Sequence, residues 1–465
     1  MFKNVSPIDY RYQEEDLLQC LSEEGVIKYK LNVEQALIVA LNMFQICDYP
    51  EMYLEFMEAR EQITAEEVYM EEDRIKHDIR ALVNCIRRRM SDEGKPYIHM
   101  TATSFDISDT ANAARFKKAI EDVLIPNLID LEKTLIEIAY REAGTIQIGR
   151  THGQHAVPIT FGFAIASYVS RLGECILSIK RLNKEQVGKF SGAVGAYNAS
   201  SLFVGDPEEF EKCILEELAT TENGVGLKPA EISTQIVPPE QMIRTLSELV
   251  LTGGVLANLA RDMRHLQRTE IGEVGEEFSA DQVGSSTMPQ KRNPINFENV
   301  ESLWKVLLGQ LTTVYINQIS EHQRDLTNSA AARIYPEIVV YLVSMTRRLN
   351  RIMKKLRVDK ASIERNFNLQ KDLIVAEPLH IILSALDHPD SHEKVRLLTL
   401  KAQREKKPLQ EIAMADKELK PYFEKMTLRQ KGIISDPSLY TGIADQKAKK
   451  VATNWARRFN LKGCF

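Results

Sequence analysis

The sequence is poor in the residues that interrupt helices. Of 465 residues only 22 are glycine and 17 are proline. So few turn signals over so long a chain argue against a sandwich, a barrel or a doubly wound sheet. Aromatic residues make up 7%. The six cysteines, Cys20, Cys47, Cys85, Cys175, Cys213 and Cys464, are scattered without a C-x-x-C pair. That fits free thiols in a reducing cytoplasm better than a disulfide framework or a zinc site. Neither sign of charge dominates: 60 Lys and Arg stand against 65 Asp and Glu, a net charge of −5. A nucleic-acid binder driven by overall charge is thereby excluded. The opening MFKNVSPIDYRYQEEDL has no apolar run of the secretory kind. The longest mostly apolar stretch, Leu249–Ala260, is too short to cross a bilayer. A cytoplasmic protein is expected, with neither membrane nor nucleic acid among its partners.

What is present is ordinary globular composition, 27% charged and 44% hydrophobic. Between Ala113 and Ala139 the apolar positions Phe116, Ile120, Val123, Leu124, Leu128, Leu131, Leu135 and Ile138 fall in steps of three and four. That is one face of a long helix, which Pro126 would kink. Similar spacing recurs over Phe161–Leu182, Met242–Leu266, Phe297–Ile319 and Ile338–Leu356. Helices this long need partners of equal length, and a bundle completed by other copies of the chain supplies them. Before this stretch the pattern is shorter, with helices near Val33–Phe44, Met52–Glu61 and Ala65–Met90; after it, prolines punctuate the chain. The sequence predicts an all-α protein of three segments: an N-terminal helical domain over 1–109, a long-helix domain over 110–356 and a C-terminal helical domain over 357–465. Thr145–Ile148 and Ser191–Val194 are the best strand candidates.

The most informative stretch is GSSTMPQKRNPINFENVE, Gly284–Glu301. Pro289 and Pro294 forbid a regular helix, so this is a polar loop. The acidic, glycine-containing segment before it is consistent with a mobile lid. Paired hydroxyls, Lys291 and Asn293 can supply a base, a point charge and hydrogen bonds to a carboxylate. The loop resembles the G-S-S-x-M-P-x-K-x-N-P signature of the fumarase/aspartase superfamily of β-eliminating lyases. Within that superfamily the chain is similar to the adenylosuccinate lyase family.

Further segments carry that resemblance. GRTHGQHAVPITFG, Gly149–Gly162, holds His152 and His155. No third ligand lies near, so a metal pair is not expected, and Pro158 with the flanking glycines places His152 near the start of the Phe161 helix. A histidine titrating near neutrality suits proton donation to a leaving nitrogen. The segment resembles the superfamily's T-H-x-Q-x-A-x-P pattern, which implies His152 as general acid. RIKHDIRALV, Arg74–Val83, puts His77 beside Asp78 in an amphipathic helix; the resemblance implies that His77 supports the acid and that Lys76 and Asp78 meet substrate. YIHMTATSFDISDT, Tyr97–Thr110, resembles H-x-x-x-T-S-x-D. By that resemblance Thr103 and Ser104 donate to a substrate carboxylate, Asp106 organises the turn and His99 lies close. Ala102 and the Met100-Thr101 pair depart from the usual residues.

The non-fumarate half of the substrate is read from other segments. SPIDYRY implies Arg11 and Tyr12 as nucleotide contacts. HQRDLTNSAAAR, His322–Arg333, implies a phosphate site of Arg324, Ser329 and Arg333, whose guanidinium forks suit a dianion. Gln235 and Asn299 complete the implied contacts. VPPEQM after Gln235 and Gln290 in the loop depart from the family pattern. The residues alone do not choose among Ser285, Ser286 and a histidine as base; the resemblance assigns Ser285, with Ser286 and Lys291 beside it. The resemblance further implies elimination of fumarate without metal or cofactor, a nucleotide substrate and a homotetramer with shared sites. The alternative is a related lyase for another succinyl adduct or a carboxymuconate-type acid.

Overall fold

In the computed structural model residues 6, 8, 10–277, 287–288 and 290–464 are described. Among them helix dominates, and strand is confined to three two-stranded pairings. The chain forms two compact units. One comprises Met1–Ile129, Glu174–Leu256 and Val300–Arg348; the other comprises Asp130–Gly173, Ala257–Asn299 and Leu349–Phe465.

The helical periodicity is realised as long helices at Phe161–Lys184, Glu240–Leu266, Ile295–Ile316 and Tyr335–Lys354. At 1.5 Å per residue they run ~30–40 Å. The Phe161–Lys184 helix is long and apolar enough to cross a membrane, yet 56% of its apolar window is buried inside the fold. The stretch around Pro126 is continuous helix from Ser104 to Arg141, with a π-helical turn at Ile120–Leu124. Proline has no N–H to give to the preceding turn. The register shifts just ahead of it: Ile125 N–H bonds to the Ile120 carbonyl, and Asn127 Nδ2 caps the Val123 carbonyl at 2.7 Å.

Two local expectations fail. Ala65–Met90 is not one helix: Ala65–Ile75 ends at Lys76, whose φ is 60°, and Asp78–Arg87 starts anew with His77 as its N-cap. Ser191–Val194 is a turn rather than a strand, with Gly192 at φ 84°. The Thr145–Ile148 expectation corresponds to strand β1 (Ile146–Thr151), which pairs antiparallel with β2 (Gln154–Thr160).

In the first unit the Glu23–Met43 helix packs against Ser104–Ala119 and Pro207–Glu217. Leu37, Ile38, Leu41, Ile107, Ala114, Phe210 and Ile214 are all nearly inaccessible there. In the second unit the C-terminal helices bury Leu379, Leu383, Leu398, Leu409, Leu419 and Ile434 together.

One core residue of the second unit opposes folding. Glu132, on the Ile125–Arg141 helix, is 0% exposed, and neither carboxyl oxygen has a hydrogen-bond partner among the described residues. Burial holds its carboxyl well above the ordinary range, favouring the protonated form. A raised folded-state pKa gives stability that is complete below the unfolded value and is lost as pH rises through the folded one. Glu132→Gln is therefore expected to stabilise the protein by about 1–3 kcal/mol at alkaline pH. Paired melting curves should show a larger Tm gain at pH ~8.5 than at pH ~5; an equal gain at both would contradict this reading.

Candidate functional site

The first unit brings together the histidine and hydroxyl segments. His77 Nδ1 accepts the Arg80 N–H at 3.2 Å, so that nitrogen is unprotonated in the cap and the neutral ring carries its proton on Nε2. Nε2 lies 3.5 Å from Ser104 Oγ. Thr103 is the N-cap of the Ser104–Ala119 helix, and Ser104 is its first residue. The two hydroxyls thus stand at a helix N-terminus, where the helix dipole favours a carboxylate, and the Thr103 side chain also accepts the Asp106 N–H in a capping box. Asp106, 0% exposed, accepts the Thr103 N–H at 2.8 Å and so fixes the turn.

His99 is half-buried at φ 63°, with Nδ1 2.6 Å from Glu34 Oε1. Burial disfavours its charge, but the Glu34 carboxylate overrides that and raises its pKa above the ordinary value. Lys76 and Asp78 have partners within the chain: Lys76 Nζ lies 2.6 Å from Asp73, and Asp78 takes Lys30 Nζ at 2.9 Å. Burial would raise the Asp78 pKa; the Lys30 charge holds it below the usual range.

A cavity of about 400 Å³ in the same unit is lined by Ala193, Val194, Gln235, Gln323, Arg324, Asp325 and Leu326. Arg324 lies over the Phe105 ring, its guanidinium carbon 3.5 Å from the centroid. One Nη donates to Gln235 Oε1 at 2.9 Å, and Gln235 Nε2 donates to the Ala193 carbonyl at 3.0 Å. Asp325 ties its own turn by accepting the Thr327 hydroxyl and the Thr327 N–H; these bonds, the hydroxyl foremost, hold its carboxyl at about 2. Ser329 and Arg333 are exposed and bonded to each other, Arg333 Nη1 reaching the Ser329 carbonyl at 3.1 Å. They do not line this cavity. Arg11 stacks on Tyr10 at 5.7 Å, and Tyr12 meets Tyr341 edge-on.

In the second unit His152 is at the exposed tip of the β1–β2 hairpin, not at the start of the Phe161 helix. Thr151 pairs with Gln154, and His152 and Gly153 form the two-residue turn with φ of 53° and 75°. Both values are positive, as a type I′ hairpin turn requires. The hairpin's base is locked by Glu273, 0% exposed, which accepts from Gln147 Nε2, the Arg150 guanidinium and Asn366 Nδ2. The exposed tip histidine is thereby carried on a stem tied down by buried hydrogen bonds.

Ser285 and Ser286 lie outside the described residues. Lys291 is exposed, and its N–H bonds to the Met288 carbonyl at 3.0 Å. Asn293 and Asn299 follow, Asn299 within the Ile295–Ile316 helix. The base of the loop is pinned by Glu276, which accepts the Asn296 and Phe297 N–H groups at 3.0 Å each. Among the described residues no group of three or more His, Cys, Asp or Glu is placed to hold a metal ion.

Sequence reasoning missed Glu34, Phe105, Lys189, Glu273 and Glu276. Phe105 sits between Ser104 and Asp106 and carried no polar signal. Glu273 and Glu276 lie in the acidic stretch that reads from sequence only as lid composition.

Comparison with known proteins identifies the family. A family model described as lyase matches residues 56–309, and one described as adenylosuccinate lyase C-terminal matches residues 320–430. The chain is 37% identical to the adenylosuccinate lyase of Pyrococcus horikoshii over 454 residues, covering 96% of this chain and 97% of the relative. It is 34% identical to that of Archaeoglobus fulgidus, covering 96% and 98%. Its fold is similar to a fumarate lyase from Mesorhizobium sp. BNC1, with a TM-score of 0.82, 22% identity and coverage of 95% and 98%. It is equally similar to a 3-carboxy-cis,cis-muconate lactonizing enzyme from Pseudomonas putida, with a TM-score of 0.82, 23% identity and coverage of 97% and 99%. Those structures establish the all-α fold they share with this chain; the sequence matches go further, and the chain belongs to the adenylosuccinate lyase family.

Proposed function

We propose that this chain eliminates fumarate from adenylosuccinate to give AMP, and likewise cleaves the succinyl-carboxamide ribotide. The match over 96% of the chain to an adenylosuccinate lyase carries this reading. Cleavage of the C–N bond requires loss of a proton from the carbon beta to nitrogen. That carbon adjoins a carboxylate, so proton removal builds an aci-carboxylate with extra negative charge. Ser285 is assigned as the base, activated by neighbouring donors and exclusion of water. Lys291, Asn293 and N–H groups near Ser286 stabilise the developing charge. His152 protonates the departing amine. Thr103 and Ser104 hold a substrate carboxylate, with the Nε2–H of His77 directed at the same turn. His99, Lys76, Asp78 and Asn299 stand as further contacts, and Arg11 with Tyr12 as contacts of the nucleotide.

Arg324, with Gln235, is assigned to the nucleotide phosphate, and Ser329 and Arg333 to its outer side. Arg324→Ala should raise KM by ~10–100-fold and change kcat little, because a phosphate contact is made in ground and transition states alike. Steady-state kinetics checks this; a loss confined to kcat would contradict it. The proposed activity itself is tested by following fumarate absorbance with adenylosuccinate and argininosuccinate offered in parallel. Release from adenylosuccinate alone supports it, and release from argininosuccinate alone replaces it with another lyase of the superfamily.

A homotetramer with shared sites accords with apolar side chains exposed along the long helices, among them Leu177, Leu251, Val306, Leu308 and Ile316. A cytoplasmic setting accords with six free cysteines.

A further inference from the structure

Lys189 is 0% exposed, as is the Asp106 carboxylate to which its ammonium donates. A buried Lys–Asp pair is weak evidence for stability, because desolvating two charges offsets most of their attraction. What this pair does is join two turns. Asp106 accepts the Thr103 N–H through Oδ2 at 2.8 Å, and its Oδ1 takes both Lys189 Nζ and the Gly192 N–H, the latter at 3.2 Å. Lys189 Nζ also donates to the Gly192 carbonyl at 3.3 Å. Its backbone is held on the same helix by Thr110 Oγ1, which accepts the Lys189 N–H at 3.1 Å and donates to the Lys189 carbonyl at 2.7 Å.

The turn so fixed has little freedom. Gly195 closes it at φ 83°, and a Cβ there would stand 2.1 Å from the Ser233 carbonyl oxygen. From this turn the Ala193 carbonyl holds Gln235, which holds Arg324 in the cavity. Arg324 in turn lies on Phe105, the residue between Ser104 and Asp106. The contacts close a ring: Thr103–Ser104, Asp106, Lys189, the 192–195 turn, Gln235, Arg324, Phe105.

We propose that Lys189 is a positioning residue that sets the carboxylate-binding turn at Thr103–Ser104 and the phosphate-binding guanidinium of Arg324 at one fixed separation. Resting on the function proposed above, this makes Lys189 the element that measures the substrate: both ends of a succinylated nucleotide are engaged together only while the ring is intact. With a fully buried side chain bonded to Asp106 and Gly192, Lys189 acts through the ring, on binding of both halves and on the alignment of the reacting carbon.

The test compares the full-length wild type with Lys189→Met and with the doubly substituted Asp106→Asn/Lys189→Met, which leaves no buried charge unpaired. Circular dichroism and melting curves establish folding. Steady-state kinetics gives kcat and KM for adenylosuccinate, and inhibition by AMP and by succinate reports each half separately. In a folded variant, kcat/KM is expected to fall at least ~100-fold, and the inhibition constants of AMP and succinate each to rise about tenfold. The effect of Arg324→Ala, large in the wild type, should shrink in the Lys189→Met background because the two act through one ring. A folded variant in which either inhibitor binds as in the wild type overturns the proposal. So does failure of both variants to fold, which assigns Lys189 to the core alone. Failure of the wild type to turn over adenylosuccinate or to bind AMP would instead overturn the function on which the proposal rests.

Discussion

Ser285→Ala is expected to lower kcat ~10²–10⁴-fold while KM stays near the wild-type value. The hydrogen beta to nitrogen is weakly acidic, and no other step relieves the requirement for its removal. An alanine leaves no group at that position to accept it. Substrate affinity should persist because the binding groups assigned here, Arg324, Gln235, Thr103 and Ser104, lie elsewhere in the chain. Single-turnover kinetics with trapped substrate separates binding from chemistry. Turnover near the wild-type rate would remove Ser285 from the role of base and leave Ser286 or a histidine in its place.

Lys291→Met should cost kcat ~10²–10³-fold, the usual loss when one preorganised donor to a developing oxyanion is removed. The physical reason is that charge on the aci-carboxylate grows only on approach to the transition state, so a donor aimed at it raises kcat more than it tightens binding. Lys291 is suited to this because its side chain is exposed while the backbone around it is anchored. Its N–H bonds to Met288, Gln267 Nε2 reaches the Arg292 carbonyl at 3.4 Å, and Glu276 holds the start of the following helix. Glu276→Gln provides the matching control. It keeps the side-chain volume but weakens the charge-assisted bonds to Asn296 and Phe297, so its effect on kcat should share the direction of Lys291→Met and be smaller. A Lys291→Met enzyme altered only in KM would place Lys291 in ground-state binding instead.

The long helices were legible because a 3.6-residue apolar period persists over many turns, and the structure follows it at Phe161, Glu240, Ile295 and Tyr335. The break at Lys76 was not, because Ile75, Ile79, Leu82 and Ile86 continue the helical spacing straight across it. A lysine at positive φ also leaves no mark of the kind that glycine does. The hairpin carrying His152 was hidden for a similar reason. His-Gly is not the usual Asn-Gly or Asp-Gly turn pair, and Pro158 interrupts the alternation that would have announced β2. The short Ser191–Val194 strand candidate is instead a turn, because Gly192 and Gly195 adopt positive φ. The polar members of the candidate site were legible through short strings, each within about a dozen residues. The contacts that aim them were not: Lys189 lies 83 residues from Asp106, and Gln235 lies 89 from Arg324. No local pattern encodes such distances, and only the fold brings the partners together.

The most direct test is quantitative product analysis after purified protein is incubated with adenylosuccinate. Chromatographic assay should find fumarate and AMP appearing in equal amounts as substrate disappears, with formation of both abolished in Ser285→Ala. Intact adenylosuccinate beside active turnover of a different succinyl adduct or a carboxymuconate would contradict the reading at its root.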